Sequence, residues 1–163
     1  PLEPIELFVG KGSHYAAVER DRKSASLYEG NVSSYYRDLF LVHEALGLGY
    51  SNPETKTFVN LTPSVPGSEV TVFSQDISEP LFDEVYHALN MFRGQFKSGE
   101  VNLAITSPPL GDPREGWSGF PSISRLVVSD QFMASRFGFN GMDLFGQSVI
   151  TRDPFVLARA LSA

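Results

Sequence analysis

The chain has 163 residues, 42% hydrophobic and 20% charged, with a net charge of -6 and no cysteine. That length suits a single domain (1–163), able to bury about two-thirds of its unfolded surface without disulfide or metal, and the composition is that of a soluble globular protein. The missing cysteines remove disulfide scaffolds, thiolate metal sites and thiol nucleophiles; the acid excess without a Lys/Arg-rich block argues against nucleic acid, and no apolar run approaches the roughly 18 residues of a membrane-inserted helix.

In chain order, "IELFVG" (Ile5 to Gly10), "HYAAVER" (His14 to Arg20) and "SASLYEG" (Ser24 to Gly30) are short apolar runs ended by glycine or charge, and they read as strands and hairpins. "SSYYRDLFLVHEALG" (Ser33 to Gly47) fits either element: its aromatic and β-branched residues favour a strand, while Tyr36, Leu39, Phe40 and His43 keep helical spacing. "LGYSNPETK" reads as a turn region, followed by a strand pair, "TFVNLTP" and "SEVTVFS", around Pro63 to Gly67.

The clearest helix runs from Ser78 to Gly99, with Ser78 as N-cap, Pro80 in the first turn, early acids, late Arg93 and Lys97, and a buried stripe of Leu81, Val85, Ala88, Leu89, Phe92 and Phe96. Glu79, Asp83 and Glu84 complement its dipole and are expected to face water. Two strands then flank a long loop rich in Gly and Pro that holds the only tryptophan, Trp117: Val101, Leu103 and Ile105 alternate with Asn102, Ala104 and Thr106, and Ser124, Leu126 and Val128 with Ile123, Arg125 and Val127. After the aromatic, glycine-spaced "FMASRFGFNGMDLFGQ" (Phe132 to Gln147), a last helix begins with Asp153 as N-cap and Pro154 at N1 and carries Phe155, Leu157, Ala158 and Leu161. The order implies an α+β fold, a mainly antiparallel sheet with two packed helices.

Chemical motifs are sparse. His14, His43 and His87 are the imidazoles available to a hydroxyl nucleophile, and none sits in a signature. "GWSGF" around Ser118 reads as a turn and not a nucleophile elbow; His87 lies off the apolar stripe and reads as a surface residue, and His43 beside Glu44 as a satisfied local contact. "VGKGSH" (Val9 to His14) lacks the spacing of a phosphate loop and reads as a hairpin turn. No metal-ligand spacing is present, so neither a metal nor another cofactor is expected. The sequons at Asn31 and Asn60 read as chance matches. No signal or transit segment is visible, and the start at Pro1 reads as trimming, which leaves the compartment open. Phe132, Phe137, Phe139 and Phe145, with Met133, Met142 and three glycines, read either as a loop folded over the core or as a ligand wall or partner surface next to Arg136.

"VNLAITSPP", Trp117, "SISRLVVS", "SRFGFNGMDLF" and "TRDPFVLARALS" occur in the order and with the spacing of the C-terminal lobe of galactose-1-phosphate uridylyltransferases, and the stretch 70–163 resembles that lobe of the histidine-triad superfamily. The resemblance implies a histidine-triad-like α+β lobe and, position by position, nucleotide-sugar contacts from Arg136, Phe137 and Gln147. The family's tyrosine and glutamate fall near Gly141 and Asp143, where identity is lost or shifted. The His-Pro-His nucleophile has no counterpart, and the metal-holding histidines of the related lobe fall on Thr106, Phe120 and Ser122. Without that nucleophile no covalent nucleotidyl intermediate forms. The reading is therefore a non-catalytic domain that acts as a protein-interaction or accessory subunit, through Phe132, Phe139 and Phe145, with a protein partner or a second copy. The rival readings are a binder of a nucleotide or sugar phosphate and a small hydrolase or transferase using His14 or His43.

Overall fold

The computed structural model describes residues 16–28, 33–63, 68–95, 101–111 and 116–128. Within them are α1 (Ala16–Leu27), α2 (Tyr35–Ala45), β1 (Gly49–Ser51), β2 (Thr55–Val59), β3 (Ser68–Ser74), α3 (Glu79–Gln95), β4 (Val101–Thr106) and β5 (Ser122–Val128). The five strands form one sheet of order β1-β2-β3-β5-β4, and every neighbouring pair is antiparallel. This is the expected α+β class, with three helices among the described residues where two were expected; the helix expected from Asp153 lies outside them.

α1 corrects the reading of "HYAAVER" and "SASLYEG" as strands and hairpins, while "IELFVG" lies outside the described residues. The charges of α1 are compatible with a helix, and Glu19, Arg22 and Lys23 share one helical surface, with Glu19 pairing to Arg22 at i+3 and Lys23 at i+4. In α2 the helical spacing prevails: Tyr36, Phe40 and His43 are its buried residues. Ser34 caps its start by accepting from the Arg37 N–H, and at its end Gly47, at φ +73°, closes a Schellman motif in which Gly47 and Leu48 donate to the Glu44 and His43 carbonyls. The "LGYSNPETK" turn region contains a strand as well as a turn. β1 pairs with β2 across Asn52–Glu54, and Asn52 Oδ1 accepts from the Glu54 and Thr55 amides.

β3 and β4 both run antiparallel to β5, which lies between them, so they are parallel to each other and the β3-α3-β4 passage is a split βαβ unit. Helices cover both faces. On one, Val85, Ala88 and Phe92 of α3 pack on Val70, Leu126 and Val128. On the other, α1 and α2 place Val18, Tyr36 and Phe40 against Phe58, Phe73, Phe120 and Ile123. β5 is consequently buried on both sides rather than half-buried, and only Arg125 along it is partly accessible. β4 is a strand as expected, but its burial does not alternate: Ala104 is its one buried residue and Leu103 is exposed, because the strand lies at the border of the described sheet.

Candidate functional site

The expected ligand and partner residues Arg136, Phe137, Gln147, Phe132, Phe139 and Phe145 lie outside the described residues, as do His14 and the phosphate-loop-like stretch 9–14. The three positions that the resemblance aligns with metal-holding histidines are placed on or beside the β4–β5 pair. Thr106 opposes Ile123, Ser122 opens β5 and is buried, and Phe120 is a member of the aromatic core. Among the described residues no three His, Asp or Glu side chains gather as metal ligands.

The Trp117 loop ends in a turn. The Phe120 N–H donates to the Trp117 carbonyl at 3.1 Å across Ser118 and Gly119, and Gly119 holds φ +71°, the requirement of the third position of a type II turn. Trp117 stands edge-on to Phe120 with ring centroids 5.0 Å apart, so the tryptophan packs the loop onto the core. His87 is exposed on α3, as expected. His43 is buried and satisfied, though not by Glu44: its Nδ1 lies 2.8 Å from the Leu39 carbonyl, and its Nε2 accepts from the Leu61 N–H at 3.2 Å. Those partners specify a neutral ring protonated on Nδ1, with both nitrogens in use.

Two polar centres went unnoticed in the sequence. The first lies on the aromatic face, where Glu69 of β3 and Arg125 of β5 occupy neighbouring strands on the same side. Arg125 Nε and Nη2 donate to the two Glu69 oxygens at 2.9 Å each, a bidentate pair in which the Glu69 side chain is 0% exposed. The Thr71 hydroxyl and Asn60 Nδ2 also donate to Glu69 Oε1, at 3.1 and 3.2 Å. Burial works against charge on Glu69, but the Arg125 guanidinium, aided by Asn60 and Thr71, outweighs it and holds the carboxyl below its ordinary range. Burial alone would lower Arg125, and Glu69 reverses that. Since Asn60 Nδ2 is spent on Glu69 and its Oδ1 accepts from the Thr62 N–H, the Asn60 sequon is folded into this centre.

The second centre, on the α3 face, corrects the expectation that Glu84 faces water. Its carboxylate accepts from the Tyr50 hydroxyl at 2.6 Å, Asn52 Nδ2 at 2.9 Å and the Thr57 hydroxyl at 3.0 Å, tying α3 to the β1–β2 hairpin. Burial, then the Glu84 hydrogen bond, push the Tyr50 phenol up to about 12. Glu79 and Asp83 are exposed as expected. Neither centre leaves a signal in sequence, because the partners that define it, Glu84 with Thr57 and Glu69 with Arg125, are 27 and 56 residues apart and none belongs to a spaced motif. Comparisons with protein-family models, curated proteins and solved structures found no match.

Proposed function

We propose that the chain acts by binding rather than by catalysis, as a histidine-triad-like domain serving as an interaction or accessory subunit of a larger assembly. One observation carries this reading: among the described residues, His43, Glu69 and Glu84 are committed to partners within the fold. His43 spends both ring nitrogens on backbone partners, Glu69 is closed by Arg125, and Glu84 holds three donors. A general base or nucleophile needs a lone pair within reach of its substrate; His43 and Glu69 offer none, and three of the roughly four acceptor positions of Glu84 are filled. Outward, large apolar side chains stand in helical register on two helices, Val42 on α2 with Leu46 at its C-cap and Phe82 and Tyr86 on α3, each about half exposed or more. The resemblance of 70–163 to a uridylyltransferase lobe without its His-Pro-His nucleophile supports the same reading.

Co-purification from the native source, joined to sedimentation of the pure chain, tests the proposal. The expected result is a second chain or a dimer, with no thermal shift from uridine nucleotides. A concentration-dependent shift that Arg136→Ala abolishes would instead favour a sugar-phosphate binder. Turnover of a nucleotide sugar by the pure chain, lost on replacing His14 or His43, would overturn the proposal.

A further inference from the structure

Helix α3 covers its face of the sheet unevenly. It packs over β2, β3 and β5, and one flank of its buried stripe belongs to Glu84, which reaches the β1–β2 hairpin. At about 100° per residue the opposite flank carries Phe82, Tyr86 and Leu89, and the strand order puts β5 and β4 on that side. Leu103 of β4 pairs with Leu126, a member of the α3-facing core, so Leu103 stands on the same face, with Val101 and Ile105 two residues to either side.

These residues form an apolar groove between α3 and β4. Phe82 is 49% exposed, Tyr86 65% and Leu103 43%, while Leu89 and Val101 close the floor against the aliphatic core. Its width is that of one helix: β4 lies two strand spacings from β3, about 10 Å, and packed helices stand about 8–10 Å apart. Among the described residues α3 is the only helix on this face.

Charge says what kind of helix belongs there. Glu79 and Asp83 are exposed and stand three residues before Phe82 and Tyr86, so they line the outer rim of the groove. β4 adds no charged residue, and Arg93, two turns beyond Tyr86, is the one Lys or Arg of α3 among the described residues. A second copy of the chain meets obstacles that a foreign helix does not. With its α3 antiparallel alongside, a two-fold axis would drive its sheet into β4; with its α3 parallel and the sheets on opposite sides, Glu79 and Asp83 would face their own copies.

We propose that the groove between α3 and β4 receives an amphipathic helix of a partner protein, its apolar stripe on Phe82, Tyr86 and Leu103 and its Lys or Arg side chains along the edge that meets Glu79 and Asp83. The proposal rests on the reading of the chain as an interaction subunit and adds the surface and the chemistry of the partner.

The test uses the full chain, tagged and expressed in the native source, with partner recovery compared between variants. Tyr86→Ser and the double reversal Glu79→Lys with Asp83→Lys are each expected to cut recovery about tenfold or more, while Val42→Ser on α2 leaves it unchanged. A benzoylphenylalanine photo-crosslinker in place of Tyr86 should join the chain to a helical segment with Lys or Arg beside an apolar stripe. Recovery lost with Val42→Ser and kept by both α3 variants would overturn the groove and leave the interaction reading standing. No partner on the wild-type chain would overturn both. Two further results would overturn the groove alone: a wild-type dimer that Tyr86→Ser dissociates, which makes the occupant a second copy, or an unfolding midpoint lowered by Tyr86→Ser, which means that the chain itself fills it, since an exposed ring otherwise adds little to stability.

Discussion

The two faces of the sheet solve the burial problem with different chemistry. Under α3, apart from the Glu84 hydrogen bonds to the β1–β2 hairpin, the contacts are largely aliphatic, with Val70, Leu126 and Val128 meeting Val85, Ala88 and Phe92. Under α1 and α2 they are aromatic and ionic: Tyr36 stands edge-on to Phe73 and Phe120 at 5.4 and 5.5 Å, Phe58 to Phe73 at 5.1 Å, and Glu69 and Arg125 close a buried pair beside them. Aliphatic burial is non-directional and tolerates small shifts, whereas edge-to-face rings and a bidentate pair fix orientation. The α3 face thus secures the helix to the sheet, and the other face holds its residues in one arrangement.

The strongest way to break this contrast is to unpair the ion pair. Arg125→Ala leaves Glu69, with no exposed side-chain surface, as an uncompensated charge, and it is expected to cost about 3–5 kcal/mol in denaturant unfolding. The pH profile should change with it. Because Arg125 holds Glu69 below its ordinary range, their joint stabilisation is complete above that range and is lost as pH falls through the depressed value. Arg125→Ala should abolish this acid limb. The double variant Glu69→Met with Arg125→Met is expected to recover most of the loss, since a buried pair replaced whole by apolar side chains is often neutral.

Gly49→Ala probes the tightness of the aromatic face next. A Cβ there would lie 2.8 Å from Phe58 Cβ and 2.9 Å from the Thr57 carbonyl oxygen, with Phe40 Cε2 at 3.3 Å. The carbonyl is backbone and cannot swing aside, so overpacking of about 1–3 kcal/mol is expected by thermal or denaturant unfolding. A cost near zero would show that β1 can drift from β2 and that the face is less rigid than its rings imply.

The same contrast explains what the sequence revealed. α3 is legible because Leu81, Val85, Ala88 and Phe92 repeat at the helical period with punctuation at the start; β2 and β3 are legible from the turn between them, though β2 begins two residues earlier than expected, and β4 and β5 from alternation of residue types. α1 was misread because Glu19, Arg20, Asp21, Arg22 and Lys23 interrupt the apolar pattern, so that a helix held by a few contacts looked like the ends of two strands. The polar centres were illegible for another reason. Glu69 and Arg125 become neighbours through the β3–β5 pairing, which periodicity within either strand does not encode, and Glu84 sits one helical step off the apolar stripe, where a solvated acid would also sit. The turn reading of "GWSGF" holds because Gly119 follows the demand of a specific turn.

The smallest expected effect sharpens the comparison from the aliphatic side. Ser124 faces α3 between Val72 and Ile105 of its neighbouring strands, and its hydroxyl is buried without a hydrogen-bond partner, as is that of Thr55. An unpaired hydroxyl in an aliphatic interface has given up water and gained nothing in return, so its removal should not weaken the fold. Ser124→Ala and Thr55→Val are each expected to leave unfolding midpoints unchanged or to raise stability by up to about 1 kcal/mol, opposite in sign to Arg125→Ala across the sheet. A clear loss from Ser124→Ala would mean that this hydroxyl is committed to a partner in solution, and that directed polar contacts on the α3 face extend beyond the Glu84 centre.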